Sequence, residues 1–288
     1  KALNQAGQVS VMVKKIGMTR APVFKLSSGV EAEKFSKWLD KKFDQVKVSC
    51  EETSQYLTLL DFTSWTQGSA VFVRFRFDTD QAMGMNMVTI ALKKAWAEVI
   101  SQFPDVEMVS ISGNMCVDKK PSAANQILGR GYQVKAELSL SETVLTEILK
   151  TSSERLFKTH YWKNLVGSNL AGSNAQNMHL ANMIAAMFLA TGQDMAHVAE
   201  AAQADTIIHQ EKNGVYAAVE LNNLNLGTVG GGTWLPAFSQ ARQLILGRQI
   251  TSKELAAVMG VAGLAGEISG LAALSTQSLA QAHQKLGR

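Results

Sequence analysis

Cysteine is scarce in this 288-residue chain. Cys50 and Cys116 are the two, far apart, and no CxxC spacing occurs. A disulfide framework is thereby excluded, and a reducing cytoplasm is the expected compartment. Charge is also modest. Charged residues make up 18% of the chain, the net charge is +4 and the pI about 9.0. That mild basicity suits a phosphorylated ligand, while no Lys/Arg block is dense enough to argue for nucleic acid. The opening stretch KALNQAGQVSVMVKKIG lacks the charged-then-apolar order of a secretory leader. The longest apolar run, LAAVMGVAGLAGEISGLAAL, carries Glu267 and four glycines. It reads as a buried helix of a tight core rather than a membrane span, although small residues at close spacing also pack membrane helices. With 46% hydrophobic residues, the chain is an ordered globular protein of one or two domains.

What is present falls into two textures. Residues from about Val23 to Ile111 mix helices and strands. EAEKFSKWLDKKF places Phe35, Trp38, Leu39 and Phe43 on one helical face. AVFVRFRFD alternates Phe72, Arg74 and Arg76 against Val71, Val73, Phe75 and Phe77, as a half-buried strand does. VTIALKKAWAEVISQF predicts a helix that stops before Pro104, and VEMVSISG another strand. An open-faced, ferredoxin-like sandwich fits that length. From Asn114 onward small residues and helices dominate. Ser139 and Glu142 stand at capping-box spacing before a helical stretch. NAQNMHLANMIAAMFLATGQDMAHVAEAAQ runs helical without proline, and VYAAVELNNLNLGTVGGGT reads as a strand ending in glycines.

DQAMGMNMVT (Asp80–Thr89) sits where the Arg74–Arg76 strand hands over to a helix expected near Ala82. Gly84 allows close backbone approach, and the first turn of a helix offers free N–H groups to anions. Taken alone, Met83 and Met87, one turn apart, fill an irregular core. Further stretches change that reading: GMTRAPV (Gly17–Val23), SGNMCVDKKPSAAN (Ser112–Asn125), KNLVGSNLAGS (Lys163–Ser173), GQDMAH (Gly192–His197) and GTVGGGT (Gly227–Thr233). In this order and spacing, with AMGMNM, they resemble the 3-hydroxy-3-methylglutaryl-coenzyme A reductase family, the DKKP form being of the class I type.

The resemblance implies an α+β protein. A small ferredoxin-like nucleotide-binding domain, residues 22–110, is inserted into a helix-rich large domain, residues 1–21 and 111–288, that takes the coenzyme A thioester. It further implies a homodimer or higher homo-oligomer and two hydride transfers from NADPH, with NADH also open, giving mevalonate and coenzyme A. No metal, nucleic acid or membrane span is implied.

Reducing a thioester builds negative charge on the carbonyl oxygen, and a fixed cation there lowers the barrier. By resemblance that cation is Lys119. In an isolated DKK turn the same lysine would be solvated. Asp194 is implied as its hydrogen-bonded partner, and His283 as the mobile histidine that protonates the departing thiolate. Substrate contacts are implied at Arg20, Ser112, Asp118, Lys120, Lys163, His179 and Asn182. Nucleotide contacts are implied at Ser54, Met83, Gly84, Met85, Asn86, Val229, Gly230 and Gly231. A continuous helix would hold Asn182 about 18 Å from Asp194, at about 1.5 Å per residue. Either the helix breaks near Gly192 or the two meet different parts of the site across a dimer.

The chain departs from the family in three places. Gln81 stands where the family has an acidic residue, and Gln55 where class I has an arginine, which weakens the case for a 2′-phosphate. The threonine-threonine-glutamate-glycine block that carries a catalytic glutamate lies upstream of the segment aligned with Lys1. A fragment of the catalytic unit is the expectation. A dimeric nucleotide-binding protein without catalysis is the alternative.

Overall fold

The computed structural model describes residues 1–6 and 8–276. They form two compact units, each α+β with antiparallel strand pairing. One comprises Ile16–Asp118 with Gly227–Gly232. The other comprises Lys1–Lys15, Lys119–Leu226 and the residues from Thr233 on.

In the smaller unit the chain arrives on β1 (Ser10–Arg20) and continues through β2 (Val23–Lys25), β3 (Thr58–Gln67), β4 (Ala70–Asp78) and β5 (Glu107–Ser110). β4 is the organising strand. It pairs antiparallel with β1 through Met18↔Phe77, with β2 through Val23↔Phe72, and with β3 along its whole length. β5 closes on β2. The period-2 pattern works as expected: Val71, Val73, Phe75 and Phe77 are all fully buried. Full burial of such a side chain contributes about 1.5–3 kcal/mol. They share one core with Phe35 and Leu39 of the helix Gly29–Lys41, Val46 of the helix Phe43–Glu51, and Val88, Ala91, Leu92 and Ala95 of the helix Met85–Glu98.

Two local expectations are corrected here. The helix predicted through Phe43 breaks at Lys42, whose φ of −96° and ψ of 6° leave the helical region. Phe43 opens a second helix and packs its ring 5.9 Å from Phe62. The helix expected near Ala82 begins at Met85, because Ala82 is taken up in a bridge to Val229. Arg76 is forked onto the Asp61 carboxylate and donates to the Ile16 carbonyl at 2.8 Å.

The larger unit is less purely helical than its composition suggests. β6 (Gly131–Ser141), β7 (Ala204–Glu211) and β8 (Gly214–Leu224) form antiparallel pairs with β8 between the other two, in registers such as Leu138↔Ala217 and Ile207↔Ala218. Ser139 lies inside β6 and does not cap a helix. The caps are Ser141, before the helix Glu142–Glu147, and Ser152, before the helix Ser153–His160. The pairing of β6 with β8 decides this, since it runs to Ser141↔Gly214 and carries Ser139 into the ladder.

The long apolar helix runs from Ser252 to Ser275 and opens with a capping box of Thr251 and Glu254. It is the one helix among the described residues long and apolar enough to cross a bilayer, yet 56% of its apolar window is buried within the protein. Leu255, Met259, Leu264, Ile268 and Leu271 pack into the core with β6, β8 and the helix Leu180–Thr191. Glu267, fully buried, accepts the backbone N–H groups of Met178 and His179 at 2.7 and 2.8 Å and the Thr206 hydroxyl at 2.6 Å. A carboxylate within an apolar helix is tolerable here because its lone pairs are used.

Candidate active site

The segment Ser112–Asn125 is built on backbone conformations that side chains resist. Asn114, Val117 and Lys119 all have positive φ, at 65°, 47° and 60°. For a β-branched valine this is a true outlier, and such strain persists only where the surroundings hold it. In the smaller unit the Gly113 N–H donates to the Ala21 carbonyl at 2.6 Å, and the Thr19 hydroxyl donates to the Cys116 carbonyl at 3.3 Å. Arg20 and Asp118 lie 3.9 Å apart there, and the Ser112 hydroxyl is 3.5 Å from the Cys116 sulfur. Three implied substrate residues, Arg20, Ser112 and Asp118, are therefore brought into one region. Cys50 and Cys116 are free, and both are buried. Burial, with Glu51 beside it, pushes the Cys50 thiol up to about 12.

In the larger unit the Lys119 ammonium meets Asp194 Oδ2 at 2.7 Å, with both side chains a little over one-third exposed. The helix Leu180–Thr191 delivers Asp194 by ending just before it. Gly192 adopts the left-handed conformation, φ 74°, with the Phe238 ring packed where a Cβ would stand. Arg242, buried, donates to the Thr191 carbonyl at 3.1 Å and satisfies the helix end. The helix does end at Gly192, but Asn182 stays on its first turn, most of the helix length away from Asp194. Asp194 then caps the short turn Met195–His197, accepting the Ala196 N–H at 3.0 Å. Burial alone would raise the Asp194 carboxyl. The Lys119 hydrogen bond, the Ala196 N–H and the His197 charge outweigh it and hold the pKa below the ordinary carboxylate value.

Behind this exposed pair stands a buried one that the sequence reading missed. Arg130 and Glu200 have fully buried side chains and meet at 2.8 Å. Glu200 Oε1 also accepts the backbone N–H of Lys119 at 3.0 Å and faces His197 Nδ1 at 2.5 Å, while Oε2 accepts from Asn125 Nδ2 at 3.1 Å. His197, fully buried, presents Nε2 to Asp194 Oδ2 at 3.7 Å. The spacing Asp194, His197, Glu200 is a signal available in the sequence, since positions three apart share one face of a helical turn. Arg130 and its partner are 70 positions apart.

The remaining implied residues occupy separate places. His179 precedes the helix Leu180–Thr191 and donates from Nε2 to the Gly266 carbonyl at 2.9 Å, while Asn182 is exposed on the first turn. Lys120 is exposed beside Lys119. Lys163 is exposed on the π-helical turn Tyr161–Gly167, a geometry that gathers at functional sites. Beneath it, burial lowers the His160 imidazole to about 4. The neutral ring accepts from Asn164 Nδ2 at 3.2 Å. His283 lies outside the described residues.

AMGMNM and GTVGGGT meet within the smaller unit. The Thr228 N–H donates to the Gln81 carbonyl at 2.8 Å, and Ala82 bridges Val229. At Gly227 a Cβ would stand 2.9 Å from the Ala82 carbonyl carbon and the Gln81 oxygen, so the strand-like approach requires glycine. Met83, Met85 and Met87 lean on the core, while Val229 is exposed and the space beside Gly230 and Gly231 is open. The helix beginning at Met85 has Gly84 at its N-cap, in the left-handed conformation, and no side-chain cap. Ser54 is held apart from these, in the turn after the helix Phe43–Glu51, by its N–H on the Glu51 carbonyl.

Comparison with known proteins accords with this arrangement. The family model for hydroxymethylglutaryl-coenzyme A reductase matches residues 1–288. The 3-hydroxy-3-methylglutaryl-coenzyme A reductase of Halobacterium salinarum is 41% identical, over 100% of this chain and 72% of its own length. That of Pyrococcus horikoshii is 39% identical, over 100% and 71%. A class II 3-hydroxy-3-methylglutaryl-CoA reductase from Streptococcus pneumoniae, solved bound to NADPH, covers 95% of this chain and 75% of its own with a TM-score of 0.75. At 18% identity, that last likeness shows a common fold. This chain belongs to the hydroxymethylglutaryl-coenzyme A reductase family.

Proposed function

We propose that the protein reduces 3-hydroxy-3-methylglutaryl-CoA to mevalonate and coenzyme A with NADPH. The observation that carries this reading is the Lys119–Asp194 pair at 2.7 Å, open to solvent on one side and anchored on buried groups on the other. A thioester carbonyl brought to Lys119 Nζ would find a charged donor already aligned, and its developing oxyanion would be stabilised without reorganisation. Asp194 holds the ammonium in place. NADPH, when bound, supplies hydride for both reductions. His283 is proposed to protonate the leaving thiolate, so that coenzyme A departs as the thiol.

The acyl group is assigned to Arg20, Ser112, Asp118, Lys120, Lys163, His179 and Asn182. Lys163 takes its free carboxylate. The thioester belongs to residues 1–21 and 111–288, and the nucleotide to a ferredoxin-like insert, residues 22–110. Met83–Asn86 and Ser54 of that insert act with Val229–Gly231, whose glycine turn meets Gln81 and Ala82. A homodimer is the proposed working state. The test is thioester-dependent oxidation of NADPH by the full-length protein, with NADH at matched concentration beside it. Absence of turnover with both nucleotides in a folded sample would overturn the reading.

A further inference from the structure

Both ends of Lys119 are held by carboxylates, and one histidine connects them. The ammonium rests on Asp194 at 2.7 Å, and the backbone N–H donates to Glu200 at 3.0 Å. His197 stands between, 2.5 Å from Glu200 Oε1 and 3.7 Å from Asp194 Oδ2. The Lys119 backbone thus rests on Glu200, Glu200 on His197, and the Lys119 side chain on Asp194, with His197 facing Asp194 across 3.7 Å. We propose that His197 and Glu200 are positioning residues of the reductase, clamping Lys119 in the one backbone and side-chain geometry that serves the thioester carbonyl.

Two further observations support a built clamp. Lys119 has φ 60°, a conformation that costs a side-chain-bearing residue about 1–2 kcal/mol and relaxes unless held. The groups that hold it are all fully buried: His197, Glu200 and Arg130 each have no exposed side-chain surface. Glu200 carries four contacts on its two oxygens, from Lys119, His197, Arg130 and Asn125, so its position is over-determined. The Arg130 charge offsets its negative charge without competing for the Lys119 ammonium. The imidazole acts on Asp194 by its charge, from 3.7 Å, and the other Asp194 oxygen is fixed by the Ala196 N–H. A general structural role would ask only that Glu200 neutralise Arg130. The added contact to the Lys119 N–H is what ties the pair to the reactive residue.

The proposal rests on the reductase reading, and its test separates the two. Turnover by the unmodified full-length protein tests the reading. Hydrogen exchange at the Lys119 amide tests the clamp independently of activity. In the unmodified protein that amide should exchange at least about a hundredfold more slowly than an unstructured chain, and an unprotected amide would overturn the clamp. Glu200→Asp retains the charge opposite Arg130 but shortens the reach to Lys119. Its amide should exchange at least tenfold faster, and kcat should fall at least tenfold with KM for thioester and nucleotide within twofold. His197→Ala should lower kcat in the same manner, and His197→Gln, which restores a donor, should recover most of it. A loss carried by KM, or an unchanged kcat in folded variants, would show the groups to be purely structural. If a variant does not fold, the exchange of the unmodified amide still decides.

Discussion

The carboxylate of Glu200 accepts the backbone N–H of Lys119 at 3.0 Å, so a fully buried anion fixes the main chain of the residue whose ammonium lies on Asp194. The reactive residue is therefore held at its main chain and at its ammonium, and its predicted behaviour follows from what lies on each side of it.

Replacing Lys119 by alanine removes the ammonium that meets Asp194 Oδ2 at 2.7 Å. Loss of a single oxyanion donor lowers turnover on the order of a hundred- to a thousandfold. Lys119→Ala should do so in steady-state assays with nucleotide affinity intact. Lys120→Ala should chiefly raise KM for the thioester. A reversal of the two effects would assign the reaction to Lys120.

The Asp194 carboxyl has a folded pKa below its unfolded value, because the Lys119 bond, the Ala196 N–H and the His197 charge outweigh burial. The stability this contributes is present above the unfolded value, about 3.9, and is lost as pH falls through the lower folded value. Thermal midpoints of the parent and Asp194→Asn should differ by a constant amount from neutral pH down to about pH 4 and converge below it. Convergence already near pH 6 would mean that the carboxyl is raised, and the ion pair would lose its role.

Arg130 cannot be removed alone. Truncating one partner of a buried pair leaves an uncompensated charge, at about 3–5 kcal/mol. Arg130→Met should lower the unfolding free energy by that amount in urea titration, with the denaturant slope unchanged. A loss under about 1 kcal/mol would indicate that water reaches Glu200.

Gly227→Ala places a methyl group against the backbone of Gln81 and Ala82. The glycine turn must shift, and nucleotide affinity measured by fluorescence titration should fall at least about tenfold. A variant that binds NADPH normally would move the nucleotide away from this turn.

How much of this was legible follows the range of each interaction. β4 is readable because its alternation is local and one face is wholly buried. Lys119 and Asp194 are readable through the motifs that contain them, and Gly192 through its place before QD. The Thr251–Glu254 capping box was missed although its signature is local. β6 was misread because Ser139 and Glu142 imitate a cap, and only pairing with β8, far along the chain, selects Ser141. Arg130 and Glu200 carry no local signal that they are partners. Each reads as a surface charge until the fold removes both from water, and their meeting depends on tertiary structure across 70 positions.

The left-handed backbone at Lys119 has a consequence for how this position tolerates change. Glycine there would release about 1–2 kcal/mol of conformational strain and lose about 0.5–1 kcal/mol through the freer unfolded chain. The backbone therefore gives no reason to keep a lysine, and Lys119→Gly should melt below the parent by no more than the lost Asp194 ion pair accounts for, while its turnover falls as far as that of Lys119→Ala. A selection for thermal tolerance alone would let this residue drift, whereas a selection for growth on its product would hold it. The position separates fitness from fold.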